Sequence, residues 1–414
     1  MAKVLWVQKQ DIGPLPRVGH SMAFDAGRKR VVLFGGDSLA GTLFGDTWEW
    51  DGDNWTQVQD IGPSPRKFHA AAYDSARSRV VLFGGWNGIL FNDTWEWDGS
   101  DWTQVEDSGP AKRFEHSMAY DASRQCAVLF GGQIGTGPYL NDTWEWDGAE
   151  WVQQADTGPS VRSLAAMSYD SIRKRTVLFG GLAGTAGAPL VLGDTWEWDG
   201  TTWTEESNFG PDPCLAATMV FNGARSALYG GIQFRAGKSP PEVFSRSWEW
   251  DGKHWTARQD MGPGPRAFHG AAYDSARSRI VLFGGASAPI SPTPPASDIF
   301  GDTWEQFQTG PSSSGGGSRI VEFLIPPGTL SVVWNTAASI VVASVGDTLR
   351  IVNNDAVNHR PHTDGAPFPH PTSDIAPGTS ADYVLLSPYD PVNSGPLYDH
   401  DFGRPSEFWI RVVA

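Results

Sequence analysis

A paired glycine occurs six times in this chain, with first members at residues 35, 84, 131, 180, 230 and 284, so that successive pairs stand 49, 47, 49, 50 and 54 residues apart. Self-similarity at a period near 50 restricts the fold more than any single motif does, because each period must be one supersecondary unit that buries its apolar face against its neighbours. At 414 residues the chain exceeds what one unrepeated core ordinarily serves, and 48 Gly, 30 Pro and 20 Trp point to short strands and turns rather than helices.

Each unit follows "PRxxHxxAYDSARSRVVLFGG", then a loop of variable length, then "NDTWEWDG", then "WTQV". Four short strands per unit are expected: "HAAAY" and "RVVLF" around the turn "DSAR", the alternating "TWEW", and "WTQV" after the turn "DG". Alternation puts Trp95 and Trp97 on one face and Glu96 on the other. The tryptophans are therefore read as packing against the adjacent sheet. The sixth unit ends at "GDTWEQFQTG" without its last strand, while the amino terminus "VLWVQKQDIGP" matches "NWTQVQDIGP". Trp6 thus stands where Trp55, Trp102, Trp151, Trp203 and Trp255 stand, and the amino terminus is expected to close a ring of six sheets and hide their edges.

The double glycine after an apolar strand and the Trp-bearing strand a loop away, in six copies over about three quarters of the chain, resemble the Kelch family. That resemblance implies a six-bladed β-propeller spanning residues 1–309, with function on the face formed by the loops after each double glycine. The last three of those loops are the longest, so a site biased toward blades four to six is expected, taking a small-molecule or peptide substrate.

Arg17, Arg66, Arg113, Arg162 and Arg266 precede the inner strand, and His20, His69, His116 and His269 follow three residues later. A residue repeated in every blade ordinarily meets one local need, such as a hydrogen bond to a nearby turn, and these are read as structural. Ala165 and Ala217 take the His place in units four and five, and Cys214 takes the Arg place in unit five. Those substitutions open space on one side of the channel.

Residues 310–318 read "GPSSSGGGS" within the run, a tether with nothing apolar to bury. From 319 to 414 the β-rich runs "RIVEFLI", "SIVVAS", "TLRIVNND", "ADYVLL" and "EFWIRVV" suit a small antiparallel sandwich. "VGDTLRIVNNDAVNH" and "GPLYDHDFGRPSEFWIRVV" resemble the cupredoxin family, in which such a turn and such a closing hairpin carry the copper ligands. The resemblance implies His359 as the first ligand and places Asp401 where the cysteine would be, Arg404 near the second histidine and Glu407 near the axial methionine. A blue centre needs a thiolate. The segment contains no cysteine, so that centre is excluded.

Four of the chain's 9 histidines, His359, His362, His370 and His400, lie in this segment. Imidazoles with carboxylates nearby suit copper, and also zinc or iron. His359 and His362 are close enough in "HRPH" to share an ion, and His400 is expected on the adjoining hairpin. Asp399 and Asp401 flank His400 on the opposite strand face and, with Glu407, are expected to support the site rather than ligate.

A net charge of −16 disfavours nucleic acid, which demands a basic face, and favours cationic ligands. Cys126 and Cys214 form no metal or redox pattern. Copper at a propeller's centre, as in galactose oxidase, needs a cysteine cross-linked to tyrosine, and neither cysteine has a matching Tyr and His set nearby in sequence. No apolar run reaches membrane-span length and "MAKVLWVQKQ" lacks a signal segment, so a cytoplasmic protein is expected, with a processed secreted form also open. Two functions follow as expectations. One is a non-blue, copper-dependent oxidoreductase with propeller loops recognising substrate; the other is a non-catalytic binding or scaffold protein with a metal-free second domain.

Overall fold

The computed structural model describes residues 3–9, 12–185, 188–207, 209–233, 241–258, 262–287, 299–309, 320–325, 341–344, 348–353, 356–362, 374–385, 397–399, 403–408 and 410–413. The chain forms two compact units, Met1–Pro311 and Ser312–Ala414. The expected linker 310–318 lies outside the described residues.

The first unit is a six-bladed β-propeller. Blade one runs Ser21–Asp25, Arg30–Phe34, Thr47–Trp50, Trp55–Gln59 from inner to outer strand, and blades two to five repeat that order. Blade six takes Gly270–Asp274, Arg279–Phe283 and Thr303–Thr309 from the carboxyl-terminal side, and its outer strand is Lys3–Gln8, with Trp6 opposite Gln306. The first residues thus close the ring, as the truncated sixth repeat requires, and no blade edge is left between the two ends of the array.

The seams between blades explain the repeat. Trp102 Nε1 donates to Thr47 Oγ1 of the preceding blade at 2.8 Å, and Trp151, Trp203 and Trp255 reach Thr94, Thr143 and Thr195 in the same way. Glu96 faces opposite Trp95 and Trp97, as alternation requires, and that face too is buried: Glu96 accepts from Trp146 Nε1 of the next blade at 3.3 Å and from Arg77 of its own blade at 2.5 Å. A charge can sit there because both partners are supplied in place. The double glycine meets the same seam. Gly35 and Gly36 have φ of +69° and +103°, and a Cβ on them would lie 2.7 Å from the Arg66 carbonyl oxygen and 2.9 Å from that of Val18. Only glycine lets the two backbones approach this closely.

In the second unit, Ile320–Ile325 pairs parallel with Thr348–Asn353, which pairs antiparallel with Ser380–Val384; Val341–Ser344 pairs parallel with Ile410–Val413. The expectation of an antiparallel sandwich is therefore corrected. Alternation along a strand discloses which face is apolar, but not the direction of its partner. Val321, Phe323, Ile325, Leu349, Ile351 and Ile410 form the buried core.

Candidate functional site

Six residues, one per blade, stand immediately before the inner-strand position of the recurrent histidine: Gly19, Phe68, Glu115, Leu164, Ala216 and Phe268. All adopt left-handed backbone, with φ between 53° and 64°. Their amides and carbonyls close a ring around the axis: Phe68 donates to Gly19, Glu115 to Phe68, Leu164 to Glu115, Ala216 to Leu164, Phe268 to Ala216 and Gly19 to Phe268, at 2.8 to 3.0 Å. Five non-glycine residues in this conformation are individually unfavourable, and the closed ring is what holds them. The preceding residue in each blade bridges to the residue after the double glycine, as Lys67 does to Trp86 and Phe114 to Gln133. The ring therefore lies at the channel end that carries the double-glycine loops.

Within and beneath the ring is a cavity of about 160 Å³, lined by the ring residues together with His20, His69, His116, Ala165, Ala217, Thr218 and His269. The four histidines do not present their nitrogens to it. Their rings turn sideways into the seam, edge-on to an aromatic ring of the preceding blade: His69 on Phe34 at 5.4 Å, His116 on Phe83 at 5.5 Å, His20 on Phe283 at 5.7 Å and His269 on Tyr229 at 5.6 Å. The ring nitrogens are closed off from solvent and make no well-formed hydrogen bond. Burial, and then the Arg66 guanidinium, hold His69 at about 3, with the Phe34 carbonyl opposing. Burial and Arg266 hold His269 at about 3 as well, and burial, then an arginine and neighbouring histidines, hold His20 and His116 well below the ordinary value. All four are neutral packing groups, which agrees with reading them as structural, although packing rather than a hydrogen bond is the need they meet.

The recurrent arginines do make the expected bonds to turns. Arg113 is fully buried and grips Asp142 through two hydrogen bonds of 2.7 Å, while also donating to the carbonyls of Gly131 and Ala111. Burial works to raise the Asp142 carboxyl, but Arg113 overrides it and holds it below its ordinary value. Arg17, Arg66, Arg162 and Arg266 pair with Asp46, Asp93, Asp194 and Asp302 in the same way.

One side chain in the cavity meets no repeated need. Glu115 occupies the ring position where the other blades carry Gly, Phe, Leu, Ala and Phe. Gln133 Nε2 donates to its Oε2 at 2.6 Å and Ser163 Oγ to the same oxygen at 2.9 Å. No hydrogen bond reaches Oε1 among the described residues. Burial pushes this carboxyl up to about 7, against those two donors and the charge of Lys67. Lys67 itself is ion-paired with Asp37, its ammonium 5.3 Å from the Phe68 ring and 5.2 Å from that of Trp86. Tyr139, on the loop after the third double glycine, is raised by burial and by the charge of Glu115. Sequence reasoning followed the residues that recur and so passed over Glu115; its signal was that it breaks the repeat at a position five blades fill with uncharged residues. The cluster lies on blades one to four, and much of the long loops of blades five and six, 234–240 and 288–298, lies outside the described residues.

No family model and no curated protein matches the chain. Among solved structures it is similar to that of YjhT, with a TM-score of 0.56 at 15% identity, covering 70% of this chain and 95% of that one. That likeness shows the six-bladed propeller and nothing of activity. Among the described residues no helix is long and apolar enough to cross a membrane.

In the second unit His359 is fully buried, its backbone paired with Ile375. Asn353 pins the intervening turn by donating to the carbonyls of Val357 and Ile375, both at 2.7 Å. Pro361–His362 pairs with Leu397–Asp399, setting His362 in register with Tyr398, which is in register with Glu407. The "HRPH" segment and the closing hairpin are thus neighbours in the backbone. His370, His400 and Asp401 lie outside the described residues. Among those that are described, no three His, Cys, Asp or Glu side chains converge as a metal site.

Proposed function

We propose that this protein binds a small polar ligand in the axial cavity of a Kelch-type propeller, with Glu115 as the group that engages it. The observation that carries this reading is the carboxyl itself: it is half-buried on the cavity wall, held by Ser163 and Gln133 on one oxygen, without a hydrogen bond on the other among the described residues, and required by nothing in the repeat. A carboxyl with a perturbed pKa that lines a cavity and has no repeated structural task is a good marker of a site. A carboxyl near 7 can give or take a proton at neutral pH, so the same geometry serves acid–base chemistry if the ligand is a substrate. The test is a crystal soak with a set of small polar fragments. At least one is expected in contact with Glu115 Oε1, and fragments that bind only on other faces overturn the reading.

A second reading concerns the second unit, which we assign as cupredoxin-like: a metal ion, copper by preference, held by His359, His362 and His400 with His370 nearby, in an oxidoreductase whose propeller loops recognise the substrate. It is favoured by the strand pairing that sets "HRPH" beside the closing hairpin, and by the Asn353 clamp on the turn leading to His359. The donor set of imidazoles and carboxylates without thiolate suits a hard, redox-active divalent ion, which would supply oxidation chemistry when bound. Untagged protein offered copper, zinc or iron should retain about one equivalent and lose it in the His359→Ala, His400→Ala double variant. Retention of none of the three metals eliminates this reading.

A further inference from the structure

We infer that the axial cavity selects a small organic cation, an amine whose ammonium is held by Glu115 Oε1 and faces Phe68 and Phe268. This rests on the reading of the axial cavity as the ligand site, and it follows from the formal charges around that cavity. Arg17, Arg66, Arg113 and Arg266 are each cancelled by the aspartate they grip. Lys67 at the rim is cancelled by Asp37. The histidines in the wall are neutral. Among the described residues around the cavity, Glu115 is left as the one charge with hydrogen-bond donors but no salt-bridge partner.

A carboxylate in that position is costly to ionise, because desolvation is not repaid by a cation. Its shift to about 7 in the ligand-free protein is the same fact seen as a proton equilibrium. A ligand ammonium supplies the missing charge, whereas a neutral or anionic ligand does not. The wall supports the choice. Phe68 and Phe268 line the cavity with ring centroids 5.8 Å apart and planes inclined at 58°. Aromatic faces attract cations, and Lys67 already uses Phe68 and Trp86 in this way at the rim. Leu164, Ala165, Ala216 and Ala217 complete an aliphatic side that fits the body of the ligand. A cavity of about 160 Å³ is the size that accepts a benzene-sized molecule, so roughly six to ten non-hydrogen atoms fit.

Binding must expel the proton that Glu115 holds near neutrality. At pH 7 about half a proton per site should be released to buffer, and affinity should fall up to about tenfold per pH unit below that. The charge of Lys67 opposes the rise at Glu115, the charge of Glu115 raises Tyr139, and His116 beside it stays neutral.

The experiment is calorimetric titration of the full chain at pH 7 in two buffers of different ionisation enthalpy. The probes are benzylamine, benzyl alcohol and benzoate, with isobutylamine and isobutanol as a smaller pair. Each amine is expected to bind at least about tenfold tighter than its alcohol, with proton release, and Glu115→Gln should reduce the amine to the affinity of the alcohol. Leu164→Trp, which fills the cavity, should abolish binding of all probes. An alcohol or benzoate that matches the amine in the native protein overturns the cation while leaving the cavity as a ligand site. Binding that survives Leu164→Trp, or no binding by any of the five probes, overturns the axial site and this inference with it.

Discussion

Blades three and five present the same backbone at four positions and fill them with opposite chemistry. Blade three carries Arg113, Glu115, His116 and Asp142; blade five carries Cys214, Ala216, Ala217 and Arg246. The ring bond through residues 115 and 216, the glycine seam and the buried third-strand Trp146 and Trp250 are common to both. None of the four side chains is therefore demanded by the propeller as such. Blade five shows how the ion pair can be given up: Arg and Asp change together, the thiol of Cys214 joins Leu228 and Phe244 in an apolar cluster, and Arg246 turns outward to Asp212. Burial and then Asp212 push that thiol up to about 12, so it behaves as a small apolar group.

The largest effect should come from making blade three resemble blade five by halves. Arg113→Met leaves the half-buried Asp142 without its counter-charge and the carbonyls of Gly131 and Ala111 without their donor, and is expected to cost about 3 kcal/mol in denaturant unfolding. Adding Asp142→Leu should recover most of this and leave a deficit of about 1–2 kcal/mol, since Trp144 Nε1 still loses its acceptor. If the double variant is no better than the single one, buried ion pairs in this fold are not replaceable units and the comparison fails.

The histidine position comes next. His69→Ala mimics blade five and removes the edge contact with Phe34, at an expected cost of about 2–3 kcal/mol at pH 7.5. Because His69 lies at about 3 when folded and near its usual 6.5 when unfolded, the unfolded chain takes the proton first as pH falls. The stability it contributes is complete above 6.5 and declines toward 3, by up to about 1.4 kcal/mol per pH unit. The gap between native protein and variant should thus narrow in unfolding curves at pH 5. A gap independent of pH means that the imidazole is not neutral and buried in solution.

A smaller change, of opposite sign, is expected at Glu115. Its folded value near 7 exceeds the ordinary carboxyl value, so its contribution is favourable below about 4.5 and is lost as pH rises to 7. Glu115→Gln should stabilise by about 1–2 kcal/mol at pH 8, with water in the cavity moderating the full shift, and by nothing at pH 4. A variant less stable than native at pH 8 makes Glu115 a structural residue after all.

Much of this architecture was legible because six copies average out chance. The double glycines, the TWEW strands and the stray amino-terminal Trp6 together led to the ring and its closure. Glu115 was not legible by the same route, since averaging suppresses whatever occurs once. Only the αL ring shows that residue 115 faces an axis. Alternation separates Glu96 from Trp95 and Trp97 but does not disclose that both faces are covered: the next blade lays Trp146 over Glu96. The second unit has no repeat to average, and the direction of its pairing depends on crossover connections that period-two alternation does not encode.

The smallest expected effect gives the sharpest control. Arg246 stands where the other blades have the gripping aspartate, yet its pair with Asp212 is 2.9 Å long with side chains 57% and 37% exposed. An ion pair so wet gains little over its hydrated partners. Arg246→Ala should therefore change unfolding free energy by less than about 0.5 kcal/mol, and salt should not alter the result. The guanidinium also lies 5.5 Å from the Phe244 ring, so a loss above about 1 kcal/mol would assign the arginine a packing role over that ring. In that case blade five would have moved its cation rather than discarded it, and the two blades would differ less than their residues suggest.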